Sequence, residues 1–149
     1  MAVDLTRLKK IFDVLLEAAF EVSQADIGSV MFLDQARQSL RVEASKGIPE
    51  EIARTAKVRI GEGISGIAAE GGRPLLITKE ILVDQRLRPY LLRPLLSSSM
   101  VIPIKVEDQV VGVLNLGTLQ GSTVRFNAAN LPAMSKLANL VGVAIAPAK

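Results

Sequence analysis

Six residues, Gly61-Glu62-Gly63-Ile64-Ser65-Gly66, spell G-x-G-x-x-G, the spacing with which a strand-to-helix turn grips a dinucleotide pyrophosphate. Val58 and Ile60 precede the motif, and Asp84 stands downstream, where an acidic residue could bind a ribose. The context fails, however. The helix opened by the motif, Ile64 to Glu70, runs into Gly71-Gly72 and Pro74, and glycine and proline end helices. A crossover helix between parallel strands needs a dozen or more residues. The strands that follow are joined by a tight turn, which makes them antiparallel. The glycines are left with two open roles, a tight turn alone or a turn that also serves a binding site.

The remaining residues with chemical reach lie further on. Arg86, Arg88 and Arg93 surround Tyr90. A fixed cation and an amphipathic ring, Arg86 and Tyr90, can orient one small acidic ligand. Asp84 either joins them or salt-bridges Arg86 or Arg88. Three arginines without a basic face or a recognisable module do not make a nucleic-acid surface.

Composition excludes more than the motifs include. The chain has no cysteine and no histidine. Thiol nucleophiles, disulfides and iron–sulfur clusters are ruled out, and zinc and haem lose their usual ligands. A Ser-His-Asp triad cannot be built. No paired-carboxylate constellation stands out, so the chain is not expected to be an enzyme and no cofactor is expected. The absence of disulfides fits a reducing compartment, and a cytoplasmic location is expected. Hydrophobic residues make up 49% of the 149, yet they fall in short periodic runs. None approaches the ~18 residues that a bilayer span needs. The N-terminus is amphipathic, with Asp4, Lys9, Lys10 and Asp13 interrupting it, unlike a secretory signal. A partner chain explains the excess apolar surface better than lipid.

The elements that must position these residues are read from periodicity. From Leu5, apolar residues recur at Leu8, Phe12, Leu15, Ala19 and Val22, alternating three and four. Leu131, Met134, Ala138, Val141 and Ile145 repeat the pattern, with Asn130 as an expected N-cap and Pro132 in the first turn. Each segment carries a second apolar stripe. Two helices on one face of a sheet account for one stripe. A helix–helix dimer through Leu5, Leu8, Phe12, Leu15, Met134, Val141 and Ile145 accounts for the other.

Between the helices the period is that of strands. Ser29 to Asp34 is a strand, followed by a turn at Asp34-Gln35-Ala36-Arg37. Leu40, Val42 and Ala44 alternate with Arg41 and Glu43, predicting a second strand with one wet face. Glu50 to Ala56 is a short helix, and Leu75 to Ile77 a third strand. Met100 to Val106 and Val110 to Leu116 flank Glu107-Asp108-Gln109 as a hairpin. The stretch from Thr78 to Ser99 is a long irregular insertion, expected to be functional or mobile. The fold class is α+β: an antiparallel sheet with the terminal helices packed on one face, and short helices and a long loop over the other.

With these residues in place, the chain resembles a GAF domain, a small-molecule sensing module of signalling proteins. The resemblance rests on four pieces in order. They are Ala25 to Asp34, Val58 to Ala68, Gly72-Arg73-Pro74-Leu75-Leu76-Ile77, and the hairpin from Ser99-Met100 through Asn115-Leu116. It implies a GAF/PAS-like sheet of five or six strands with core order 2-1-5-4-3, and a single domain over 1–149 cut from a longer multidomain protein. A ligand pocket is implied between the sheet and the segment from 64 to 98. By position its candidates are Ile64, Ser65, Ile77, Asp84, Arg86, Tyr90, Ser97, Ser98, Met100 and Asn115. The resemblance also implies a homodimer and an output domain of kinase, cyclase or transcription-factor type, as in bacterial two-component or transcriptional regulation.

Departures narrow the ligand. Ser45 and Lys46 stand where cyclic-nucleotide-binding members carry an aromatic–acidic pair, and of an N-K-F-D-E signature only Phe126 is recognisable. Bilin-binding and methionine-sulfoxide-reducing members need a cysteine, and haem-binding members a histidine. What remains is a small organic molecule, an anion favoured by Lys46, or no ligand at all, with the domain acting as a dimerising relay whose pocket is self-filled.

Overall fold

Six strands form one antiparallel sheet in the computed structural model, which describes residues 5–78 and 96–146. In chain order the elements are α1 (Leu5–Ser23), β1 (Ile27–Asp34), β2 (Ser39–Lys46), α2 (Glu50–Thr55), β3 (Lys57–Arg59), α3 (Gly63–Gly71), β4 (Leu75–Thr78), β5 (Leu96–Val106), β6 (Gln109–Leu119) and α4 (Leu131–Ile145). The sheet order is β3-β2-β1-β6-β5-β4. The core order implied by the family resemblance is therefore present, with β3 added outside β2. Three residues long, with Val58 as its one inward apolar side chain, β3 carries too little alternation to be read from sequence.

One face of the sheet is covered by α1 and α4. Leu8, Phe12, Leu15 and Ala19 of α1, with Met134 and Ala138 of α4, are buried against Val30, Met100, Ile102, Ile104, Leu114 and Leu116. The Phe12 and Phe32 rings meet at 5.4 Å, tilted by 46°. Burying one such side chain contributes about 1.5–3 kcal/mol. The close approach of α4 to β5 depends on Gly142, because a Cβ there would run into the Lys105 carbonyl oxygen.

This packing corrects the expected dimer seam. Leu8, Phe12, Leu15 and Met134 are buried in the chain's own core, and Val141 and Ile145 pack partly buried against it. The Leu5 side chain lies outside the described residues. Spacing of three and four marks an apolar face, and a sheet satisfies such a face as well as a second helix does. The exposed apolar residues of these helices are others: Val14 (64%), Val22 (59%), Leu140 (58%) and Val143 (76%).

The entry to α4 also differs from expectation. Asn130 holds the N-cap position of α4 as expected but makes no side-chain cap bond there; the capping bond is one turn earlier, where Asn127 Oδ1 accepts from Ala129 N at 2.8 Å at the start of a 3-10 turn at Ala128–Asn130. Asn130 closes the reciprocal bond, its Oδ1 accepting from Asn127 N at 2.8 Å. Pro132 sits in the first turn of α4 as expected.

A bulge divides β2 between the two faces. Val30 pairs with Ala44 and Met31 with Val42, leaving Glu43 as the extra residue. Ala44 therefore joins the core under the helices, while Leu40 packs with Met31, Leu33 and Val113 on the opposite face, where Val42 also lies. The uniform Leu40-Val42-Ala44 face expected from alternation is split, because one inserted residue reverses the phase. The β1–β2 turn is where it was expected: Asp34 Oδ1 accepts from Ala36 N at 3.0 Å and Arg37 N at 3.2 Å. The β5–β6 turn is tighter than expected. Glu107 and Asp108, at φ 49° and 70°, suffice, and Gln109 already pairs with Val106.

Candidate ligand site

The second face of the sheet is not filled by side chains throughout. Between β1, β5 and β6 as floor and α2, β3 and α3 as walls lies a cavity of about 300 Å³. That volume falls at the lower end of small-molecule pockets.

The G-x-G-x-x-G segment shapes one wall. Gly61 N donates to Gly66 O at 2.9 Å and Glu62 N to Arg59 O at 3.0 Å, closing a tight turn before α3. Gly66 is held to hydrogen size by the Arg59 carbonyl oxygen, which a Cβ would strike. Of the two roles left open for the glycines, turn and close packing account for the geometry. The turn nonetheless aims Ile64 and Ser65 into the cavity, and α3 ends at Gly72 in the left-handed conformation.

Polar groups on the floor form one thread. Register places Asn115 of β6 between Ser29 of β1 and Val101 of β5. Ser65 Oγ donates to Asn115 Oδ1 at 2.8 Å, and Asn115 Nδ2 donates to Ser29 Oγ at 3.2 Å. Met31, Val42, Ile52, Val58 and Val101 supply apolar wall around the thread. No Asp, Glu, Lys or Arg lines the cavity among the described residues.

The expected site residues divide into three groups. Ile64, Ser65 and Asn115 line the cavity, and Met100 borders it while packing in the core under α1 and α4. Ile77, Ser97 and Ser98 do not reach it. Ile77 packs on Ile67 in a small separate cluster. The hydroxyls of Ser97 and Ser98 lie 2.8 and 2.5 Å from Thr118 Oγ1, and Ser98 Oγ also accepts from Phe126 N at 3.0 Å. Asp84, Arg86 and Tyr90, with most of the Thr78–Ser99 insertion, lie outside the described residues.

Sequence reasoning missed Ser29 and the α2 wall, Ile52 and Ala53. A serine in phase with Met31 and Leu33 along β1 was the available signal for the first. Lys46 requires a correction. Its ammonium sits 4.9 Å over the Phe20 ring, beside the last turns of α1, and does not line the cavity. It therefore gives no ground for favouring an anion or disfavouring a nucleotide.

Comparison with known proteins agrees with this architecture. The GAF domain family model matches residues 6–146, and the chain belongs to that family. Solved structures share the fold at low identity. The GAF domain of an Acinetobacter phosphoenolpyruvate-protein phosphotransferase superposes with a TM-score of 0.76 at 20% identity, covering 93% of this chain and 81% of that one. The second GAF domain of DevS from Mycobacterium smegmatis gives 0.72 at 22%, covering 92% and 91%. A type II free methionine-R-sulfoxide reductase from Thermoplasma acidophilum gives 0.73 at 15%, covering 95% and 94%. No curated protein matches the chain. GAF domains are sensory and regulatory modules of signalling proteins, and this chain is one of them. No helix among the described residues is long and apolar enough to cross a membrane.

Proposed function

We propose that this GAF domain binds a small molecule in the cavity between the sheet and α2–α3, and relays occupancy through a helical dimer to an output domain in a longer cytoplasmic protein. The output is of kinase, cyclase or transcription-factor type. The observation that carries the reading is the 300 Å³ cavity with its Ser29–Asn115–Ser65 thread. A pocket kept only for packing has no use for three hydrogen-bonding side chains in an apolar wall, since each costs desolvation when buried. Ile64, Ser65 and Asn115 are the ligand-contacting residues of this proposal. The dimer uses the exposed stripes of Val14 and Val22 on α1 and of Leu140 and Val143 on α4. Occupancy reaches these stripes through the sheet, because β5 and β6 form the cavity floor on one side and carry α4 on the other.

Native mass spectrometry of the protein purified from cells tests this. The expected spectrum contains a species heavier than the bare chain by one small molecule, which is lost on denaturation. The bare chain alone, with no thermal shift across a metabolite library, supports instead a ligand-free dimerising relay.

A further inference from the structure

We infer that the ligand is an uncharged, predominantly apolar molecule with one carbonyl head group; this rests on the small-molecule reading above and names its chemical class. The argument is one of charge and of unspent hydrogen bonds. The described cavity wall holds no ionised side chain. A carboxylate, phosphate or ammonium placed there loses its hydration without gaining a counter-charge from any of these described residues.

The thread then specifies the head group. Asn115 Nδ2 carries two hydrogens and spends one on Ser29 Oγ. Ser29 is 5% exposed, and its own hydroxyl proton has no acceptor among the described residues. Two donors one hydrogen bond apart, at 3.2 Å on an otherwise apolar floor, suit a carbonyl oxygen with its two lone pairs. Ser65 Oγ, whose proton goes to Asn115 Oδ1, still has lone pairs to accept from an amide N–H beside that carbonyl. Burial of the apolar remainder against Met31, Val42, Val58 and Val101 supplies affinity, and the thread supplies orientation.

Four probes of one shape and different charge test the inference on the full chain by calorimetry: benzamide, toluene, benzoate and benzylammonium. Benzamide is expected to bind at least about tenfold more tightly than either ion, since the ions lose hydration without pairing. Asn115→Leu is expected to weaken benzamide by about tenfold, the effect of one lost hydrogen bond with its partner left unpaired, and to leave toluene unchanged. Asn115→Asp keeps the shape of the side chain, and is expected to weaken benzamide and strengthen benzylammonium. Tighter binding of benzoate or benzylammonium to the unaltered chain overturns the inference while leaving the sensing reading intact. In that event, loss of benzoate binding in Arg86→Gln places the charge in the segment between β4 and β5. Failure of all four probes to bind at millimolar concentration overturns it as well, and the native mass spectrum then decides whether the sensing reading falls with it.

Discussion

Two buried hydroxyls show how differently the same group can weigh. Ser39 is 1% exposed, and its Oγ has no hydrogen-bond partner among the described residues. Thr118 is fully buried, and its Oγ1 is shared by Ser97 and Ser98 at 2.8 and 2.5 Å. Removing an orphaned hydroxyl removes a desolvation cost, whereas removing a shared one costs both Ser97 and Ser98 a hydrogen bond. Ser39→Ala is therefore expected to leave stability unchanged or raise it by up to about 1 kcal/mol. Thr118→Val, nearly the same shape, is expected to lower it by about 1–3 kcal/mol. Urea unfolding at unchanged m-value measures both. A loss of stability in Ser39→Ala would mean that the hydroxyl is bonded after all. At this scale the sequence was least informative. Nothing distinguishes Ser98, which holds Phe126 N, from Ser65, which holds Asn115, until the fold places one on β5 beside Thr118 and the other on α3 at the cavity.

The edge strand β3 carries its own liability. Lys57 stands directly opposite Arg41 in the register with β2, both exposed, and like charges so placed repel. Lys57→Glu is expected to stabilise the domain by about a few tenths of a kcal/mol, with the gain shrinking in high salt. Thermal unfolding at low and high ionic strength checks both the sign and the screening. The positive pair has a compensating use, since charge on an edge strand discourages pairing with other sheets. The terminal helices supply a second contrast. Phe12→Ala is expected to cost about 3–5 kcal/mol, because Phe12 is 1% exposed in the core. Val143→Glu, at a position 76% exposed on α4, is expected to stay within about 0.5 kcal/mol of the parent when both are compared as monomers at low concentration.

Elements were the most legible scale. Both terminal helices, the β1–β2 turn, the end of α3 at Gly72 and the β5–β6 hairpin follow from apolar period and breakers that act locally. The bulge at Glu43, the three-residue β3 and the cap at Asn127 were not legible. Each is decided by a partner distant in sequence or by a reciprocal bond that another asparagine could equally have made. The cavity's existence could be expected from family resemblance, but not its lining. Which side chains reach it depends on the phase of β5 and β6, and a register shift between Leu96 and Ser98 leaves both Ser97 and Ser98 turned to Thr118.

For the whole molecule, the proposed dimer rests on the exposed apolar stripes of α1 and α4. Sedimentation of the unaltered chain is expected to show a dimer, and Val143→Glu a folded monomer with the same circular dichroism. A parent chain that is monomeric at high concentration would remove the helical dimer from the proposed relay. The sheet order has a further consequence, for the order of events in synthesis. Strand β1 has β6 as a neighbour, so Ser29 must wait for Asn115, 86 residues later, to leave the ribosome. Until then the β1–β2 hairpin has an open edge, and α1 has no α4 to pack beside. Closing so long a loop before any contact rewards it slows folding and prolongs exposure. A newborn chain of this protein is thus most in need of a chaperone between its first hairpin and its last, and the floor of the cavity is among the last parts to be assembled.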